Sequence, residues 1–209
     1  MSHVIAQILA AQKIANFATY DGTATNATLS NGNLTAVKTG TSGDSGVRST
    51  AQKDTGKHYF EVTCTTINTN GDCVGIVTAA GTYANVVTSG TNCGVVYKFN
   101  GAIWGNNANS GRTLGTLANG DIIGVAVDLD NNKIWVRKAP SGNWNGQVIG
   151  SQDPANNVGG VSISSYSATT LSPLMGFGAG TTGSTVTANF GASAFSGTVP
   201  SGFNAGWAL

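Results

Sequence analysis

The sequence predicts an all-β protein, an antiparallel β-sandwich preceded by a short N-terminal α-helix. From Thr19 onward apolar residues recur with a period of two, and turn residues return every ten or so positions. The 3.6-residue period of a helix is confined to the first segment. At 209 residues the chain is long enough to bury one sizeable core, and sandwiches of this length commonly form one domain. The expected organisation is a helix over residues 1–18 and a sandwich over residues 19–209.

The helix is read from Val4, Ile8, Ala11 and Ala15 on one stripe, widened by Ile5 and Leu9, with Ser2 as its cap. A helix this short is marginal alone in water and needs a surface to pack against. Either its own sandwich supplies that surface, or identical helices or a docking site in a larger assembly do. In the second case Val4, Ile5, Ile8 and Leu9 are the attachment or oligomerisation residues. The segment lacks a cationic start, and Gln7, Gln12 and Lys13 interrupt its apolar stretch, so neither a secretion signal nor an anchor is expected. No run approaches the roughly 18 apolar residues of a membrane span.

The clearest strand is Lys57–Thr66, with His58, Phe60, Val62 and Cys64 directed into the core and Tyr59, Glu61, Thr63 and Thr65 the other way. Asn70-Gly71 turns the chain into Cys73–Thr78. A second pair, residues 121–129 and 133–138, joins at Asp130-Asn131-Asn132, and Gly124 and Ala126 leave room on one face for a bulky neighbour. Further strands are expected at 27–30, 34–38, 47–51, 93–99, 102–104, 171–179 and 185–190, with tight turns at Asn31-Gly32 and Asn100-Gly101. No helix is expected after the first. The loop 139–160 is long and rich in Gly, Asn, Ser and Pro, which marks it as functional or mobile rather than incidental.

Four motifs in order carry a resemblance. Gly56-Lys57-His58-Tyr59-Phe60-Glu61-Val62 resembles the opening strand of SPRY domains, and Gly120-Asp121-Ile122-Ile123-Gly124-Val125-Ala126-Val127-Asp128 resembles a later one, with residues 131–136 similar to its partner. Leu171-Ser172-Pro173 and Asn189-Phe190-Gly191, with Phe195, Pro200, Gly202 and Phe203, are similar to the closing elements. The resemblance implies a lectin-like jelly-roll sandwich that binds proteins through loops at one edge and does no chemistry. The stretch from Ala27 to Lys38, followed by Gly46-Val47-Arg48-Ser49-Thr50, is similar to SPRY modules of bacteriophage proteins. Residues 138–144 depart from the short turn usual after the motif strand, so no binding residue of the family carries over.

Charged residues make up only 9% of the chain, where a soluble domain usually has about a quarter. Its surface is therefore neutral and polar, which suits an exposed particle or an extracellular setting. A net charge of +1 gives no field to steer a polyanion or an anionic bilayer, so neither nucleic acid nor membrane is an expected partner. Cys64, Cys73 and Cys93 lack metal-ligand spacing, and either two of them pair or all three are small buried apolar side chains.

Catalysis needs positioned acids, bases or nucleophiles. Only His3 and His58 are present, and Glu61, the sole glutamate, reads as a structural hydrogen-bonding group. Asp128-Leu129-Asp130-Asn131-Asn132 reads as a hairpin turn rather than a calcium loop, and Gly176-Phe177-Gly178-Ala179-Gly180 as strand glycines rather than a phosphate cradle. No catalytic residue, metal or cofactor is expected. Trp135 is expected in the core, whereas Trp104 and Trp144, with Asn143 and Asn145 beside the latter, are the candidate ligand contacts.

The expected function is that of a non-catalytic surface protein of a bacteriophage virion, a fibre, collar or head-decorating component. Its partners are other virion proteins or a host cell-surface protein or polysaccharide, and it is expected to be a homo-oligomer, a trimer being one form. A receptor- or glycan-binding adhesin is the alternative, and a glycoside-active enzyme ranks third for want of a facing carboxylate pair.

Overall fold

The computed structural model describes residues 17–42, 45–68, 71–97 and 99–209. The expected N-terminal helix, with Val4, Ile5, Ile8 and Leu9, lies outside the described residues. Its last two positions are described and are extended: Phe17 bridges Ala208, and Ala18 N donates to Trp207 O at 2.9 Å.

Two sheets face each other. The larger runs in the order β1 (Ala27–Ser30), β2 (Thr35–Lys38), β13 (Thr185–Asn189), β4 (Lys57–Thr66), β9 (Ile122–Asp128), β10 (Lys133–Ala139), β11 (Val161–Ser162). The smaller runs β3 (Ser45–Arg48), β12 (Leu171–Phe177), β5 (Cys73–Thr78), β6 (Cys93–Tyr97), β7 (Ala102–Gly105), β8 (Ala108–Thr113). These neighbours are antiparallel, and only β14 (Asn204–Ala205) joins its neighbour, β4, in parallel. The strands β4 and β5 span the residues that alternation predicts.

The main core lies between the sheets, where Phe60, Val62 and Cys64 of β4 meet residues such as Ile76, Val96 and Phe177 of the smaller sheet. His58 is buried at the same end, its ring 4.9 Å from that of Trp207. Desolvation holds its pKa below the ordinary imidazole value.

The other face of β4 is not given to solvent. Tyr59 and Glu61 are buried beneath the segment that follows β13. Glu61 accepts from Tyr59 Oη at 2.6 Å, Gly197 N at 2.7 Å and Ser196 N at 2.8 Å, so the lone glutamate fastens this segment to the sheet. The bulky neighbour anticipated over Gly124 is Tyr59: a Cβ at Gly124 would lie 2.5 Å from its hydroxyl. Trp135, expected in the core, is fully buried there, in the cluster on this outer face with Tyr59, Ala126 and Phe203.

A helix does return, against expectation. α1 (Tyr83–Ser89) lies on the outer face of the smaller sheet, capped by the Thr82 side chain and ended by Gly90 at φ 63°. Its valines Val86 and Val87 pack with Cys73 and Leu174, and Gly176 of β12 admits Val87 where a Cβ would come within 2.8 Å of its Cγ1. β-branched valines read locally as strand, and burial against the sheet overrides that preference.

The Asp128 carboxylate closes the β9–β10 hairpin. It accepts from Asn131 N and Nδ2, both at 2.9 Å, and pairs with Lys57 at 3.1 Å, so its oxygens serve the turn and the strand edge.

All three cysteines are free and buried. Cys64 belongs to the main core, while Cys73 and Cys93 lie four register positions apart on β5 and β6. Burial pushes the Cys64 thiol up to about 12, helped by the charges of Asp121 and Asp72, and raises the other two as well. The thiolate is the reacting form, so Ellman's reagent is expected to label none of the three in the native protein and all three in denaturant. Prompt labelling of the native protein contradicts this.

Candidate functional site

The candidate site is built on the connection from β10 to β11. Beyond Ala139 the chain turns back, Gly142 N donating to Lys138 O at 2.8 Å, and forms a single 3-10 turn at Trp144–Gly146. Asn145 takes the left-handed conformation, φ 51°, which Asn tolerates better than most residues. This turns its side chain into the protein. Its Oδ1 accepts from Val136 N and its Nδ2 donates to Gln152 Oε1, both at 2.9 Å. Gln152 Oε1 also accepts from Gly160 N at 2.9 Å, so one amide pair ties the start of the loop to its end.

The returning half is fixed from below. Trp135 Nε1 donates to Val158 O at 3.0 Å, Lys133 Nζ to Asn157 O at 3.1 Å, and Arg112 Nη1 of β8 to Gly160 O at 2.6 Å. Side chains of two strands, β10 and β8, and an internal amide clamp thus hold a loop with little secondary structure of its own. The ordering entropy of such a segment is met during folding rather than on binding.

At its tip the loop presents two large apolar side chains to solvent, beside the exposed polar residues Ser141, Asn143 and Ser151. Val148 is 75% exposed and Ile149 91%. Beside them lies a recess of about 240 Å³ lined in part by Arg137, Asn143, Trp144 and Gln147. The Arg137 guanidinium lies 4.4 Å from the centre of the Trp144 ring, which meets Tyr59 edge-on at 6.4 Å. Arg137 also donates to Thr198 O at 2.8 Å, so the cation and the indole are positioned together. Burial first, and then the hydrogen bond to Glu61, raise the Tyr59 phenol well above its ordinary value and keep it a donor.

The sequence-derived contact residues separate accordingly. Trp144 and Asn143 line the recess. Asn145 does not: it is fully buried and holds the loop in place, so its expected role as a ligand contact is corrected to a structural one. Trp104 lies on the outer face of the smaller sheet, half-buried against Tyr97 at 6.0 Å and close to Gly90. It shares no surface with Trp144. Arg137, Val148 and Ile149 were not anticipated. Arg137 was legible as the residue two beyond Trp135 on the same strand face, and Val148-Ile149 as two adjacent large apolar residues in a Gly- and Asn-rich loop.

Asp153, within the loop, accepts from Ala155 N at 2.9 Å and from Asn156 Nδ2 at 2.7 Å, and three further titratable groups help to hold the sheet. Glu61 serves Tyr59 and the segment after β13, Asp128 serves the hairpin, and His58 Nε2 lies 3.0 Å from Thr55 O. The arrangement offers a rigid shaped surface with an apolar tip and a cation over an indole.

Two facing antiparallel sheets with loops at their edges make a β-sandwich. No family model matches the chain, and no curated protein matches it in sequence. Among solved structures it is similar to the SPRY domain of human HERC1, at TM-score 0.60 and 17% identity over 81% of this chain and 96% of that one. It is also similar to the PSpry domain of TRIM65, at TM-score 0.58 and 14% identity over 88% and 98%. Stonustoxin matches at 0.54 and 15%, over 83% of this chain but 27% of its own. The fold is therefore the SPRY-type sandwich that the four motifs implied.

Proposed function

We propose that the chain is a non-catalytic binding module on the surface of a bacteriophage particle, a fibre, collar or head-decorating component. It grips its partner, another virion protein or a host-surface protein or polysaccharide, through the loop 139–160. The observation that carries this reading is the exposed pair Val148 and Ile149 on a loop clamped by Asn145, Gln152 and Trp135. Large apolar side chains held rigidly in water favour a partner that covers them.

The particle setting is supported by the charge-poor neutral surface and by the phage-like wording of residues 27–38. In this reading the segment 1–18 joins copies of the chain or attaches them to the particle.

The test incubates the fluorescently labelled full chain with cells of a panel of candidate bacterial hosts and, separately, with purified phage particles. Saturable binding to either, without release of reducing sugar from envelope polysaccharide, is the expected result. Binding to neither, or turnover of the polysaccharide, overturns the reading.

A further inference from the structure

A second recess lies at the opposite lateral edge of the sandwich and shares no residue with the loop 139–160. There the chain before β1 closes onto β3, Thr25 N and Gly46 N exchanging bonds with each other's carbonyls at 3.2 and 3.1 Å. The cavity, about 310 Å³, is lined in part by Asp21, Thr23, Thr25, Arg48, Gln52 and Tyr83, drawn from separate stretches of chain. That volume is at the small end of ligand cavities, which start at roughly 300 Å³.

Its polar groups are held in position. Arg48 Nη1 donates to Thr78 O at 3.2 Å and Ala79 O at 3.3 Å, and its guanidinium carbon lies 5.2 Å from the centre of the Tyr83 ring. The Tyr83 ring edge comes close to β3 because residue 46 is glycine, a Cβ there colliding with Cδ1 and Cε1. Asp21 N donates to Arg48 O at 2.6 Å, and Asp21 Oδ1 accepts from Thr23 N at 3.0 Å. Gln52 Oε1 accepts from Thr170 Oγ1 at 2.7 Å, which leaves its NH₂ to donate.

Arg48 and Asp21 line the same cavity, yet among the described residues neither forms an ion pair. One cation and one carboxylate, fixed but not joined, leave the cavity without net charge. A charged ligand meets repulsion as well as attraction there. A neutral polyol meets donors from Arg48 and Gln52, an acceptor in Asp21, hydroxyls of both kinds on Thr23 and Thr25, and an aromatic wall.

We propose that this recess binds a neutral hydroxylated ligand, a hexose or N-acetylhexosamine unit of a surface polysaccharide. Arg48 donates to ring hydroxyls, Asp21 accepts from one, and Tyr83 covers a face of the ring. The chain then carries two binding edges, an apolar one at the loop 139–160 and a polar one here. The second does not rest on the first.

The test titrates the full chain with glucose, galactose and N-acetylglucosamine separately, followed by saturation-transfer NMR and calorimetry. At least one sugar is expected to bind saturably, with a dissociation constant of about a millimolar. Asp21→Asn and Arg48→Met are each expected to weaken it roughly tenfold or more. Arg48→Met also removes bonds to two backbone carbonyls, so Asp21→Asn, which retains an oxygen for Thr23 N, keeps the test decisive if the first variant fails to fold. Saturable binding of none of the three sugars overturns the proposal, as does binding that survives Asp21→Asn. Loss of sugar binding on replacing Val148 and Ile149 moves the site to the loop and overturns it too. Because the loop's reading is tested by replacing Val148 and Ile149, which do not line this recess, failure here leaves that reading standing.

Discussion

Trp135→Ala is expected to destabilise the protein by about 4 kcal/mol, the range for removing a fully buried indole, and to lower the thermal midpoint by about 10 °C. Trp135 has no exposed surface and packs with Tyr59, Ala126 and Phe203 on the outside of the larger sheet. Its loss leaves a cavity that neighbouring backbone cannot fill, because Gly160 already approaches to where a Cβ would lie 2.9 Å from the ring. It also leaves Val158 O without its 3.0 Å donor. Trp135→Phe restores most of the volume but not the N–H, so it is expected to recover most of the loss and fall short by about 1 kcal/mol. Chemical denaturation of the three proteins measures both differences. A loss below about 1 kcal/mol for the alanine variant would show that the loop does not depend on its floor. Limited proteolysis within 139–160 should rise in parallel with the loss.

Where the chain follows a one-sided alternating rule, its structure was readable. β4 and β9 alternate because one face meets the opposite sheet, and the small residues Gly124 and Ala126 announced a bulky neighbour before Tyr59 was known to be it. The same rule misleads at Tyr59 and Glu61, whose face is covered by a segment more than 130 positions away. Local pattern carries no trace of that cover. For α1 the punctuation is present, Thr82 as cap and Gly90 as terminator, but two adjacent β-branched valines favour strand locally.

At the candidate site, the long loop was legible from its length and composition, and Trp144 as a candidate from its chemistry. Asn145 shows where such reading stops. In a Gly- and Asn-rich stretch it reads as one more exposed polar residue, and only the left-handed backbone turns its amide inward to Val136 and Gln152. Trp104 and Trp144 pack on different sheets, Trp104 on the outer face of the smaller and Trp144 against the larger, and that separation is set by strand order rather than by distance along the chain.

Replacing Val148 and Ile149 together by aspartate is expected to weaken binding to cells or particles by about a hundredfold or more, while leaving the thermal midpoint unchanged. At 75% and 91% exposure the two side chains contribute little to the core, so the folded protein has little to lose. A partner that covers them gains about 1.5–3 kcal/mol for each fully buried side chain, and two such losses exceed the 2.7 kcal/mol that a hundredfold represents. Aspartates buried in their place add a desolvation cost. Trp144→Ala makes the contrast: its ring packs with Arg137 and Tyr59, so it is expected to reduce both binding and stability. Binding by the double variant within about threefold of the parent, under 1 kcal/mol, would remove the apolar tip from the interface and with it the observation on which the loop's function rests.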